Sequence, residues 1–239
     1  AYEIPKRDWS SDVCSSDLER GARVVDADEV VNVERREFRD GRARIVLTTP
    51  AHRYGPISLA LRGEHQIGNA VVAACVLEAA AASGIAVDRA SIERGLTDVA
   101  WPGRLEAIDI AGQRVLLDAA HNPEGAQALA AYLRRWHPDR PALVLGVMRD
   151  KDVEGIVRPL LGAVSSITTT AARTPRAIPA HDLAARVEAF GGGATVRADT
   201  DPAAALEHAL ERNAVVCVAG SIYLVGEARD ALRARAILR

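Results

Sequence analysis

Four short clusters hold the side chains best suited to chemistry. In Leu116-Leu117-Asp118-Ala119-Ala120-His121-Asn122-Pro123 an apolar run delivers a carboxylate, then an imidazole and an amide. The apolar run reads as a strand. Pro123 suits the first turn of a helix, where its missing N–H costs nothing. His121 and Asn122 then occupy a strand-to-helix loop at a helix N-terminus, which favours anions. A carboxylate and an imidazole on such an edge can bind ribose hydroxyls or a substrate carboxylate. The same residues also read as an Asp or Asn helix cap with a solvent-facing His.

The second cluster is Gly103-Arg104-Leu105-Glu106. The planar fork of Arg104 can hold a phosphate, although pairing with a nearby carboxylate is the commoner fate of a lone Arg. The third, Gly63-Glu64-His65-Gln66-Ile67-Gly68-Asn69-Ala70, opens a helix. Capping is an ordinary reading for His65 and Gln66, but Asn69 lies inside the helix, where it costs propensity and wants a reason. The fourth is Val216-Cys217-Val218-Ala219-Gly220-Ser221-Ile222-Tyr223, a buried strand running into Gly-Ser at a helix start. Ser221 is either an N-cap or a ligand to an anion. Lys151, between Asp150 and Asp152, reads as an exposed charge beside two carboxylates. The chain holds no G-x-x-x-x-G-K-S/T, no G-x-G-x-x-G, no G-x-S-x-G, no H-E-x-x-H and no paired CxxC. It therefore has no self-sufficient phosphate cradle, nucleophile elbow or metal site of its own.

These clusters need a frame. Residues 23–61 read as strands, with a hairpin turn at Arg39-Asp40-Gly41-Arg42. A helix follows over 65–82, stopped by Ser83-Gly84, and Asp88 caps a second through Leu96. Trp101-Pro102-Gly103 reads as a linker. Beyond it strands (105–110, 115–118, 142–147, 165–170, 194–197, 214–219) alternate with helices (123–136, 152–161, 179–190, 202–212, 222–236). That rhythm predicts an α/β fold, a mostly parallel sheet with helices on both faces. Ligands in such sheets lie at the C-terminal strand ends, where Asp118 and Ser221 fall.

Composition bounds the rest. The 239 residues are 49% hydrophobic and 26% charged with net charge -2, so no global basic field attracts nucleic acid or anionic membrane. No apolar run approaches the roughly 20 residues of a membrane span. Three scattered cysteines argue against a disulfide framework or zinc site and point to the reducing cytoplasm. Residues 8–18, rich in Ser, lack helical or strand periodicity. They resemble the in-frame translation of a common sequencing-library adapter. The natural sequence is therefore expected to begin near Glu19, with residues 1–18 an artefactual leader.

Taken in order, five stretches resemble the folylpolyglutamate synthase/dihydrofolate synthase branch of the Mur ligase superfamily. They are residues 63–70, 101–106, 117–123, Gly146-Val147-Met148-Arg149-Asp150-Lys151-Asp152, and Gly220-Ser221-Ile222-Tyr223-Leu224-Val225-Gly226-Glu227. The resemblance implies that residues 19–103 are the end of a central ATP-binding domain and 104–239 a Rossmann-like C-terminal domain. It implies an ATP-dependent ligase that phosphorylates a folate or dihydropteroate carboxylate and couples it to L-glutamate. Asn69, Arg104 and Asp118 would contact ATP, with Asp118 and His121 catalytic. His121 and Ser221 would lie at the glutamate side. The family's P-loop, Mg2+ ligands and carbamylated lysine have no counterpart here. This chain is thus expected to be an inactive portion of a monomeric cytoplasmic enzyme. Another Mur-type amide ligase, or a non-catalytic Rossmann-like binding module, remains as an alternative.

Overall fold

The computed structural model describes Glu19, Gly21 and residues 24–237; the adapter-like residues 8–18 lie outside them. The described strands form two sheets. In the first, β1 (Asn32–Arg39), β2 (Arg42–Thr48) and β3 (Arg53–Arg62) run antiparallel in sequence order. The predicted Asp-Gly turn closes β1 onto β2, with Asp40 at φ 49° and Gly41 at φ 71°. Both residues adopt the left-handed region that tight hairpins need. One stretch read as strand is helical instead: α1 (Ala27–Val30). Its cause is local. The Asp26 side chain caps it by accepting the N–H of Asp28, and Asp28 and Glu29 favour a helix N-terminus.

The helix α2 (His65–Ala82) lies on this sheet, followed by α3 (Arg89–Asp98), which Asp88 caps through the N–H of Ser91. Ile45, Leu47, Tyr54, Ile57 and Leu59 meet Ile67, Val71 and Ile92 in one core. Among the described residues α2 alone has the length and composition of a membrane span, at 18 residues. Its uninterrupted apolar runs are far shorter, because His65, Gln66, Asn69 and Glu78 break the helix sequence. In this fold α2 buries Gln66, Ile67, Ala70, Val71 and Ala74, whereas Val72 and Val76 are exposed.

The second sheet holds six strands in the order β4-β5-β9-β6-β7-β8. They are β4 (Glu106–Ile110), β5 (Gln113–Asp118), β6 (Ala142–Leu145), β7 (Ser166–Thr169), β8 (Thr195–Ala198) and β9 (Val215–Ala219). Only the β4–β5 pair is antiparallel. Five helices alternate with these strands: α4 (Pro123–Trp136), α5 (Val153–Leu161), α6 (Ala180–Ala189), α7 (Pro202–Leu210) and α8 (Ile222–Ile237). Alternate strand residues divide two cores, as a two-residue period requires. Leu116, Leu143, Leu145 and Cys217 pack on α4, α5 and α6. Val115, Leu117, Val144 and Val216 pack on α7 and α8. The chain thus has the doubly wound α/β architecture expected.

The antiparallel sheet also touches α4 away from the linker. A Cβ on Gly41 would lie 2.6 Å from the Tyr132 ring of α4. Nearby, Arg135 stacks over Phe38 at 4.4 Å and its guanidinium donates to Glu64 at 2.9 Å.

Candidate functional site

The helix after β5 packs on one face of the sheet and the helix after β9 on the other. β5 and β9 are parallel neighbours, with Asp118 opposite Ala219. Their C-terminal ends therefore flank a topological switch point, the crevice where doubly wound sheets bind ligands. Asp118, His121 and Asn122 stand on one side of it and Gly220-Ser221 on the other.

Asp118 is buried, 7% exposed, and its two oxygens are spoken for. Oδ2 accepts the N–H of Leu105 and Oδ1 that of Ala120, each at 2.9 Å. Ala119 in turn donates to the carbonyl of Gly103 at 2.7 Å. Residues 103–105 are thus laced to the end of β5, with Arg104 between the two ties. Leu105 pays a conformational cost for its tie, at φ 47°. Its buried side chain and its N–H bond to Asp118 offset that strain. Glu106 completes the clamp by accepting from Gly103 N at 2.9 Å and from Arg229 Nε at 2.9 Å.

Burial pushes the Asp118 carboxyl up to about 6. The two backbone donors, then the positive charge of Arg104 and the His121 ring, oppose the rise without cancelling it. Arg104 is exposed. The His121 ring meets the carbonyl of Ala119 through Nδ1 at 2.8 Å. In a neutral ring that makes Nδ1 the donor and leaves Nε2 as the acceptor. Asn122 caps α4, accepting from Gly125 N at 2.9 Å.

Asn69 and Arg104 line a second feature, a groove of about 610 Å³ between α2, α3 and the linker. Leu61, Leu77, Ile92, Leu96 and Trp101 give it apolar walls. His65, Gln66, Asn69 and Arg104 supply its polar groups. The capping reading of His65 and Gln66 fails, because Glu64 is the N-cap and no side chain caps α2. Gln66 bonds sideways instead, to His65 and to Asn69.

Ser221 is buried, 1% exposed, and accepts the N–H of Tyr223 at 3.1 Å, so it caps α8. Lys151 pairs with Asp150 at 3.5 Å, as its flanking carboxylates suggested. Near Gly146 stands a group that the sequence did not flag. The hydroxyl of Thr170, at the end of β7, is buried without a hydrogen-bond partner. No sequence pattern distinguishes it from its neighbours Thr168 and Thr169. Among the described residues no three His, Cys, Asp or Glu side chains are grouped to hold a metal.

Comparison with known proteins places this architecture. Residues 103–222 match the Mur ligase, glutamate ligase domain. A dihydrofolate synthase/folylpolyglutamate synthase from Mycobacterium tuberculosis is 38% identical over 174 residues, 71% of this chain and 36% of that protein. A UDP-N-acetylmuramoyl-L-alanyl-D-glutamate–2,6-diaminopimelate ligase from Corynebacterium efficiens is 38% identical over 114 residues, 47% of this chain and 20% of that one. Among solved structures, a folylpolyglutamate synthase of Mycobacterium tuberculosis complexed with ADP and AMPPCP superposes with a TM-score of 0.80 at 31% identity. That match covers 90% of this chain and 51% of the other. The chain spans about half the length of that solved relative or less. On the strength of the match over residues 103–222 and the shared fold, this chain belongs to the Mur ligase family and carries its glutamate ligase domain.

Proposed function

We propose that this chain is the C-terminal portion of an ATP-dependent ligase that joins L-glutamate to a folate or dihydropteroate carboxylate. The observation that carries the reading is the placement of Asn69 and Arg104 on one apolar-walled groove whose linker is tied to Asp118. Apolar walls with an amide and a guanidinium suit a purine nucleotide: the walls hold the base, and the fork of Arg104 meets the phosphates. In this reading residues 19–103 close a central ATP-binding domain and 104–239 form the cap over the nucleotide.

The chemistry follows from those positions. ATP transfers its γ-phosphoryl group to the acceptor carboxylate. The glutamate nitrogen then bonds to that carbon, the C–O bond to phosphate breaks, and the amine gives up a proton. Such a step needs fixed positive charge where phosphate charge develops. Arg104, braced by the Gly103 and Leu105 ties, supplies it. The ionised Asp118 holds that segment in place. His121, with Nε2 as acceptor, lies at the glutamate side with the Gly220-Ser221 turn, where it can receive the amine proton.

The test uses the chain alone. Incubated with ATP, L-glutamate and dihydropteroate it is expected to release no ADP and form no amide. ADP at millimolar concentration should slow hydrogen exchange at the start of α2 and in residues 101–105. Product formation by the isolated chain, or protection confined to other segments, contradicts the proposal. The resemblance to the diaminopimelate ligase keeps a second acceptor class open to the same assay.

A further inference from the structure

A second cavity borders the linker, and the proposed chemistry makes no demand on it. It has a volume of about 370 Å³ and lies where β2 starts and β3 ends, against residues 97–102, the start of β4 and α8. Four guanidiniums from four parts of the chain line it: Arg42 of β2, Arg62 of β3, Arg104 after the linker and Arg229 of α8. Leu61, Val99, Trp101 and Arg104 line this cavity and the groove alike, so they form the wall between the two.

Such a gathering is unfavourable without a counter-ion. Arg42 and Arg62 are direct partners across the β2–β3 ladder, and like charges opposite each other on two strands are destabilising. Arg62 lies well inside, its side chain 13% exposed. Asp40 meets it, accepting from one terminal nitrogen at 2.9 Å and, through its backbone carbonyl, from Nε at 3.2 Å. That one carboxylate also serves Arg114, at 3.4 Å. The hydrogen bond from Arg62, and then the charges of Arg62, Arg114 and Arg42, hold the Asp40 carboxyl below its ordinary value. The two acids on the cavity wall are already engaged. Glu106 accepts from Arg229 Nε at 2.9 and 3.2 Å and from the N–H of Gly103 at 2.9 Å. Asp98 accepts from the hydroxyl of Thr97 at 2.9 Å. Four cations thus face two carboxylates, and pairing through Nε leaves the terminal nitrogens of Arg229 to another partner.

Planar guanidinium forks bind carboxylate and phosphate oxygens two at a time. We propose that this cavity is a binding site for a small polyanion, carrying two or more carboxylate or phosphate groups, separate from the nucleotide groove. Arg42 and Arg62 reach it from the antiparallel sheet, Arg104 and Arg229 from the other side of the linker. A bound polyanion ties the two sheets together there. The site draws on Arg42, Arg62 and Arg229, which the proposed function does not use, so it stands or falls independently of that reading.

Calorimetry on the whole chain tests it, with citrate and pyrophosphate as probes beside ADP. At least one of the two probes is expected to bind with a dissociation constant of about 1 mM or tighter. It should also raise the midpoint of urea unfolding, since only the folded chain brings the four arginines together. Which probe binds identifies the source, a polycarboxylate or a polyphosphate. Arg42→Ala, at an exposed position of the hairpin, should weaken binding about tenfold, the equivalent of one charge-assisted hydrogen bond. Arg229→Lys keeps a charge for Glu106 but loses the fork, and should weaken binding by a similar factor. Both variants should leave ADP affinity unchanged, and Asn69→Ala should leave the polyanion unaffected. No binding of either probe at about 10 mM overturns the proposal. So does binding that survives Arg42→Ala and Arg229→Lys combined, or binding that Asn69→Ala abolishes, which would put the probe in the groove. A chain that binds the polyanion but not ADP would sink the nucleotide reading and leave this site standing.

Discussion

Asp118→Ala is expected to destabilise the fold strongly in acid and much less at neutral pH. The substitution strands two buried N–H groups, those of Leu105 and Ala120. Each orphaned donor costs about 1–3 kcal/mol, so the loss is about 2–6 kcal/mol. The wild-type carboxyl works against this at higher pH. Its folded pKa is about 6, against an ordinary value of 3.8. The folded protein thus holds a proton that the unfolded chain releases, and wild-type stability falls as pH rises from about 4 to about 6. That fall is about 3 kcal/mol, from roughly two pKa units at about 1.4 kcal/mol each. Alanine has no carboxyl to titrate. Its penalty relative to wild type should therefore shrink by about 2 kcal/mol between pH 4 and pH 7, the rest of the fall lying below pH 4. Urea unfolding of both proteins at the two pH values measures it. A penalty constant with pH would mean that Asp118 is not held as the structure describes.

The second large effect is expected at Gly220→Ala. Gly220 has φ 102°, and a Cβ there would lie 2.5 Å from the carbonyl oxygen of Gly146 and 2.9 Å from Leu145. The first obstacle is backbone of the neighbouring strand end, so a rotamer change does not relieve it. Backbone strain of about 1–3 kcal/mol adds to overpacking of about 1–3 kcal/mol. A loss of about 2–6 kcal/mol is expected in the same unfolding measurement. Gly226→Ala, whose added Cβ meets nothing within 4 Å, serves as the control and should change little.

Much of this molecule is legible in the sequence because its local signals agree. The Asp-Gly turn, Pro123 at a first helical turn, and the caps Asp88 and Asn122 all fall where the structure uses them. Apolar runs between them mark the strands, and short loops force the parallel order. The short α1 escaped because four residues carry no periodicity. The site was legible as residue types but not as connections. Asp118 reads as a carboxylate at a strand end. That its partners are Leu105 and Ala120 depends on Leu105 adopting a left-handed backbone, which nothing in its side chain announces. The sideways hydrogen-bond chain from Gln66 to His65 and Asn69 appears only when the helix is built. Ser221 is buried and caps its helix. That is the plain helix-cap role, one of the two readings its sequence position allowed.

The central claim is that this chain completes a folate ligase. It is tested most directly by joining the chain to the P-loop-bearing half of a folylpolyglutamate synthase and measuring ATP-dependent addition of glutamate to dihydropteroate and to a reduced folate. The account predicts glutamate addition by the hybrid. It also predicts that Asp118→Ala and His121→Ala each lower kcat/KM by about 10²–10³-fold, the usual worth of a positioned charge or general base. A folded hybrid that binds ATP but adds no glutamate to either acceptor would contradict it.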